Sequence, residues 1–258
     1  MVRRLQLFEF TDLPRCPETV RRLVTDYLRF VLRLLRLDGP MASLLLGLIR
    51  HTGADRLVDL CSGASGPILP ILRRLQREGV SVHVLLTDRF PNLPAFALAA
   101  RQAPGAVDYV PEPIDATCVP AELAGIRTLF EGLHHFPPAQ ARAILADATR
   151  CGAPIAVFEV TARSLLPILG SFLLIPMVFL ITPFIRPLTW WRLVLTYLLP
   201  VAPLVIFWDA LVSSLRSYTV AELRALTEGL PGPPYLWEVG QVRHLGLPVT
   251  YLLGRPAT

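Results

Sequence analysis

The stretch Leu57-Val58-Asp59-Leu60-Cys61-Ser62-Gly63-Ala64-Ser65-Gly66-Pro67 decides the fold. It begins as a short apolar run, passes into a turn of small residues and continues into an amphipathic segment, the pattern of a buried strand, a tight loop and a helix. Small side chains let the backbone of such a turn approach a ligand closely, and the free amides at the start of the next helix can meet a polar group. Other tight connections from strand to helix share these features, so the neighbouring segments have to be read with it.

On either side of this turn, from Arg56 to Val160, short apolar runs alternate with helical stretches, which predicts repeated βα units and a mostly parallel sheet. Strands are expected at 56–60, 82–87, 107–110, 127–130 and 155–160, and helices at 67–78, 93–102 and 138–150, with a short one at 119–123. Two closing strands, 235–243 and 248–253, make seven. The run 82–87 ends in Asp88, close to the spacing at which an acidic residue follows a glycine-rich turn in nucleotide-binding folds and accepts the hydroxyl protons of a ribose. Its other reading is a cap for the helix beginning near Pro91.

The 258 residues suffice for one large domain with an insertion: an N-terminal helical segment 1–54, a core of 55–162 and 217–258, and an apolar insertion 163–216. The net charge of +5 is carried by arginine, since the chain has no lysine. Guanidinium groups suit anionic headgroups and phosphates, but no RNA-binding motif or basic-aromatic stripe accompanies them, so nucleic acid is not an expected partner. Cys16, Cys61, Cys118 and Cys151 lie far apart without a CxxC pair, which speaks against a zinc site and a disulfide framework. No metal is expected, a reducing cytosol fits best, and the N-terminus lacks the long apolar core of a secretory signal.

Apolar residues recur at helical spacing from Glu18 to Leu37 among five arginines, giving a basic amphipathic helix that packs on the core or lies in a membrane interface; Asp38-Gly39-Pro40 is expected to end it. After the fifth strand, Ser164 to Ile185 contains no charge and three prolines, and is long enough to cross a bilayer core. A polar break follows at 186–192, and then a second apolar run from Leu193 to Trp208. Because the chain on both sides belongs to one sheet, a single crossing is excluded. A two-span hairpin, a re-entrant or interfacial helical pair, and a protein-packed lid remain. Shallow insertion, at the cytoplasmic inner face of a membrane, suits the proline-broken pieces.

From Arg56 to Val160 the chain resembles the class I S-adenosylmethionine-dependent methyltransferases, a Rossmann-like α/β family. The resemblance implies S-adenosylmethionine as cofactor, with Asp59 and the turn Cys61, Ser62 and Gly63 around its methionine part and Asp88 on its ribose. Asp115 and Ala116 match the position that meets the adenine. Phe130-Glu131-Gly132-Leu133-His134-His135-Phe136 looks like the fourth-strand motif, which ends beside the methyl donor. Cys61 and Ser65 stand where that family usually has glycine, so a turn that needs positive φ there is strained. A nicotinamide dinucleotide would want G-x-G-x-x-G, which is not evident. The insertion and Phe8-Glu9-Phe10-Thr11-Asp12 resemble a bacterial subgroup of these enzymes.

Methyl transfer from a sulfonium needs chiefly alignment, plus a base when the acceptor is protonated. His134 and His135 are the candidate bases, with helix capping or packing as the alternative role. Asp209, Arg216 and Tyr218, at the boundary of insertion and core, are candidates for the polar end of a hydrophobic acceptor, whether aromatic, quinone-like or lipid. A non-catalytic membrane-associated protein with a methyltransferase-like fold is the competing reading.

Overall fold

A computed structural model describes residues 3–257 except Pro14 and Pro187; Pro187, part of the expected polar break, lies outside the described residues. Seven strands, β1 (Arg56–Asp59), β2 (His83–Leu86), β3 (Val107–Tyr109), β4 (Ile126–Phe130), β5 (Ile155–Glu159), β6 (Tyr235–His244) and β7 (Leu247–Pro256), form one sheet in the order β3-β2-β1-β4-β5-β7-β6. The first five are parallel, and β7 runs antiparallel to both β5 and β6. The order reverses between β1 and β4. Successive connections therefore leave on opposite faces and open a crevice outside the carboxyl ends of these two strands, where α/β sheets hold their ligands.

Alternation along the strands builds two cores. Leu57, Val84, Leu86 and Phe158 face a layer made by α2 (Asp38–Thr52), α3 (Ile68–Arg77) and α4 (Leu93–Gln102), with Met41, Leu45, Ile71 and Phe96 packed against them. Val58, Leu129, Val157 and Leu252 face the opposite layer, where α5 (Pro138–Arg150) and α10 (Val220–Thr227) contribute Ile144, Leu145 and Leu223. A third core joins α1 (Glu18–Leu34) to the insertion: Leu23 and Tyr27 pack against Val178 and Ile181 of α7 (Leu174–Ile181) and Ala202 and Ile206 of α9 (Val201–Arg216). The insertion is completed by α6 (Leu165–Gly170) and the short α8 (Trp190–Leu193).

Two expectations are corrected. The first helix stops at Leu34, and Asp38-Gly39-Pro40 begins α2 instead of ending α1; a proline in the first helical turn removes an amide that has no partner there anyway. Residues 119–123 form a turn, because Asp147 of α5 captures the Val119 amide and Leu123 N donates to Pro120 O. Asp209, which directly follows the second apolar run, lies inside α9, which continues to Arg216.

The helical stretch Leu165–Phe184 has 20 residues and a mean hydropathy of 2.4, and only 22% of its apolar window is buried in the protein. The segments Trp190–Leu198 and Val201–Arg216 meet at a bend of 81°.

The start of α10 carries a reciprocal cap: Glu222 N donates to the Thr219 hydroxyl at 3.2 Å and Thr219 N donates to the Glu222 carboxylate at 2.8 Å. Replacing Thr219 by Ala is expected to lower stability by about 1 kcal/mol, read as a shift of the urea midpoint at unchanged slope.

Candidate functional site

The crevice at the β1/β4 reversal is built from strained backbone. Cys61 and Ser65 have φ of 57° and 66°, so the two residues in the place of glycines do adopt the left-handed conformation, as does Glu131 after β4 at 55°. Each costs about 1–2 kcal/mol relative to a glycine-tolerant geometry. Such strain clusters where the surrounding structure over-determines the chain for a purpose. The two turns touch: a Cβ built on Gly132 would lie 3.4 Å from the Cys61 Cβ.

Asp88, at the end of β2, links the turn to the next loop. One carboxylate oxygen accepts from Gly63 N and the other from Phe90 N, each at 2.8 Å. Burial pushes its pKa up despite these bonds. Each oxygen keeps a lone pair, so a pair of hydroxyl donors would relieve a carboxylate that the protein leaves partly unsatisfied. Ile114 N donates to Asp88 O at 2.9 Å and brings Asp115 and Ala116 alongside. Asp115 is exposed and accepts from the Thr117 hydroxyl and amide, which hold its pKa down; Ala116 is buried.

Asp59 sits a layer deeper. It is buried at the end of β1 and accepts from the Thr128 hydroxyl of β4 at 2.7 Å, and burial raises its pKa to about 7. Ser62 N donates to Thr87 O and its hydroxyl to Asp59 O, fixing the turn between β1 and β2. Burial first, then the charges of Asp88, Asp59, Asp115 and Glu159, push the Cys61 thiol up. Carboxylates of Asp88, Asp59, Asp115 and Glu159 therefore surround this turn. Helix α1 covers it: Thr25 Cγ2 lies 4.0 Å from an ideal Cβ at Gly63, and the Arg21 guanidinium stacks on Phe90 at 5.1 Å.

Two buried glutamates flank the fourth-strand loop and are driven apart. Burial and the Glu159 charge raise Glu131 well above the usual carboxylate range, and it accepts from Val160 N. Burial also works against ionised Glu159, but His134 and its own amide bonds outweigh this and hold it low. Glu159 accepts from Leu133 N at 2.7 Å and His134 N at 3.2 Å, and lies 2.6 Å from His134 Nδ1. An ionised carboxylate there selects the tautomer with the proton on Nδ1 and leaves the ring's lone pair on Nε2.

The N-terminal strap, residues 4–12, crosses this loop and lies against α9. Glu9 is 2% exposed; it accepts from the Ser213 hydroxyl at 3.0 Å and from Arg216 at 3.3 Å, and lies 3.9 Å from His134 Nε2 and 3.6 Å from His135 Nδ1. Asp12 pairs with Arg216 and lies 2.8 Å from His135 Nδ1. Burial opposes a charged His135, but Glu9 and Asp12 overcome it and raise its pKa to about 9. Asp209 accepts from Phe10 N at 2.8 Å and from Thr11, and burial lifts its pKa to about 6. The Tyr218 hydroxyl donates to Phe136 O at 2.7 Å, under the Arg4 guanidinium.

The structure thus gathers the expected residues into two adjoining groups: Asp59, Cys61, Ser62, Gly63, Asp88, Asp115 and Ala116 at the strand ends, and His134, His135, Asp209, Arg216 and Tyr218 under the strap. Glu131 stands between them. Sequence reasoning missed Glu9 and Asp12 as partners of the histidines; alternation of acids with phenylalanine was their only signal. Glu9, His134 and His135 offer ligand atoms within 4.8 Å of one another, as do Glu131, His134 and Glu159. In the first group the Arg216 guanidinium already neutralises the carboxylate.

No family model matches the chain and no curated protein is similar to it in sequence. Among solved structures it is similar to the S-adenosylmethionine-dependent methyltransferase SibL in its apo form, at 15% identity and a TM-score of 0.53 over 96% of this chain and 61% of that one. It is also similar to human N-acetylserotonin methyltransferase in complex with SAM, at 13% identity and 0.51 over 90% and 56%. The chain therefore has the fold of these methyltransferases and spans roughly three fifths of their length.

His135 carries a folded-state pKa of about 9, against about 6.5 when unfolded, so its stabilisation is present in full below pH 6.5 and is lost as the pH rises through 9. Denaturant midpoints are expected to fall between pH 6.5 and 9, and His135→Gln to flatten that slope.

Proposed function

We propose that this chain is an S-adenosylmethionine-dependent methyltransferase acting on a hydrophobic small-molecule acceptor dissolved in a membrane, on whose cytoplasmic face the apolar insertion seats it. The observation that carries the reading is the juxtaposition, at the β1/β4 reversal, of a left-handed small-residue turn braced by Asp88 with a buried His134–Glu159 pair on the adjoining loop. The residues present fit the cofactor. Asp88 retains two acceptor positions for ribose hydroxyls, Asp115 and Ala116 follow the residue bonded to its carbonyl and would meet the adenine, and the carboxylates around Cys61 suit a sulfonium cation.

When bound, the cofactor supplies an electrophilic methyl group whose carbon–sulfur bond breaks as the acceptor's lone pair forms the new bond. The chain's own residues then have two tasks. One is alignment of the two reactants, which alone can account for about 7–11 kcal/mol of barrier lowering. The other is removal of the acceptor's proton: Glu159 holds the His134 Nδ1 proton, so Nε2 is the nitrogen that takes it. His135, cationic at neutral pH between Glu9 and Asp12, places positive charge beside the developing anion. Arg216 and Tyr218 are buried and engaged, Arg216 by Glu9 and Asp12 and Tyr218 by Phe136 O, so they fix the strap over the histidine loop and would act on an acceptor only through it. The membrane part of the reading is supported by the exposed apolar surface of the insertion, where Leu166 is 79%, Trp190 76% and Leu198 73% exposed.

Calorimetric titration with S-adenosylmethionine is expected to give micromolar binding, lost in Asp88→Ala and absent with NADH. A folded protein that does not bind would transfer weight to a non-catalytic role. His134→Asn is expected to keep cofactor binding while lowering kcat by about 10²–10⁴-fold on a protonated acceptor.

A further inference from the structure

We infer that the insertion lies in the plane of one membrane leaflet, as a monotopic wedge, and crosses no bilayer; this rests on the membrane reading above. Its two arms run antiparallel, with Phe172 against Phe207 at 4.9 Å and Val178 and Ile181 against Ala202 and Ile206. The first arm leaves the core five residues after β5. Its far end does not project into space, because Val178, Ile181 and Ile185 rest on Leu23 and Tyr27 of α1. That same stretch of α1 touches the core through Thr25 at the Gly63 turn and Arg21 at Phe90. Both ends of the pair are therefore held against the rest of the protein, the near end by the core and the far end by α1.

The returning arm is also too short to span. The polar groups of Trp208, Asp209, Ser213 and Arg216 on α9 are held by the strap, which leaves at most Val201 to Phe207 for lipid, about 10 Å of helix against the roughly 30 Å of a hydrocarbon core. The preceding segment joins it at 81° and adds no length along that axis. Arg192, near the turn between the arms, points inward and pairs with Asp26 of α1.

What remains outside is an apolar sheet of side chains, with Leu166, Leu173, Leu180, Phe184, Leu198 and Leu204 each more than half exposed. In the insertion Asp209 is the sole acidic residue and it is buried, whereas Arg186 is exposed. Arg33 and Arg36, at the end of α1, are exposed as well. Apolar area for the acyl chains and guanidinium groups for the phosphates fit one occupant, an anionic lipid leaflet. A hydrophobic acceptor would then reach the crevice sideways from that leaflet.

The test uses full-length protein added to sealed vesicles of anionic lipid, with Trp208 and Trp237 replaced by Phe so that Trp190 and Trp191 report. Quenching is expected from lipids brominated near the headgroup, with little from lipids brominated at the bilayer centre and none from iodide trapped in the lumen. Leu166→Asp and Leu198→Asp are each expected to weaken vesicle binding at least tenfold and to leave S-adenosylmethionine binding unchanged. Vesicle binding together with luminal quenching would overturn the in-plane placement and leave the membrane reading standing. No binding to anionic or zwitterionic vesicles would overturn both.

Discussion

One buried carboxylate, that of Glu9, ties together the strap, the histidine loop after β4 and the end of α9. It accepts from Ser213 and Arg216 and faces both imidazoles. An unpaired charge at that depth costs several kcal/mol, so the arrangement holds only while all the partners are in place. Arg216 shares its guanidinium with Asp12, and Arg4 donates to Arg216 O at 2.7 Å and to Phe136 O at 3.0 Å. The insertion is thus fixed to the core by charge pairing at one end and by the apolar cluster with α1 at the other.

Against this rigid frame the crevice stores strain. Cys61, Ser65 and Glu131 all occupy the left-handed region without being glycine. The turn after β1 lies against the loop after β4, where a Cβ on Gly132 would come within 3.4 Å of the Cys61 Cβ. The two glutamates below the loop carry opposite protonation tendencies because they share one low-dielectric place: Glu159 takes the histidine, and Glu131 is left to bond the Val160 amide.

Much of the fold was legible because local rules agreed with the tertiary structure. The helices at 93–102 and 138–150 follow from apolar spacing and helix-start proline, and the strands from short apolar runs. The helix α2 was not, since Asp-Gly-Pro reads as a stop as readily as a start. The crevice residues at the strand ends were visible as a motif series. Their partners were not: Glu9 meets Ser213 and Arg216 from the other end of the chain, and no local pattern announces such a contact. Cys61 and Ser65 showed that the turn would be strained, and the backbone bears this out.

The strap also bears on the order in which the molecule is made. Its anchors at Asp209, Ser213 and Arg216 are synthesised some two hundred residues after Glu9, and closing so long a loop carries an entropic cost before any contact repays it. Residues at the very front of the chain must therefore wait while the sheet and the insertion form. Until they dock, the histidine loop stands open and the apolar arms lack their tether, so a nascent chain is most exposed to aggregation in that interval.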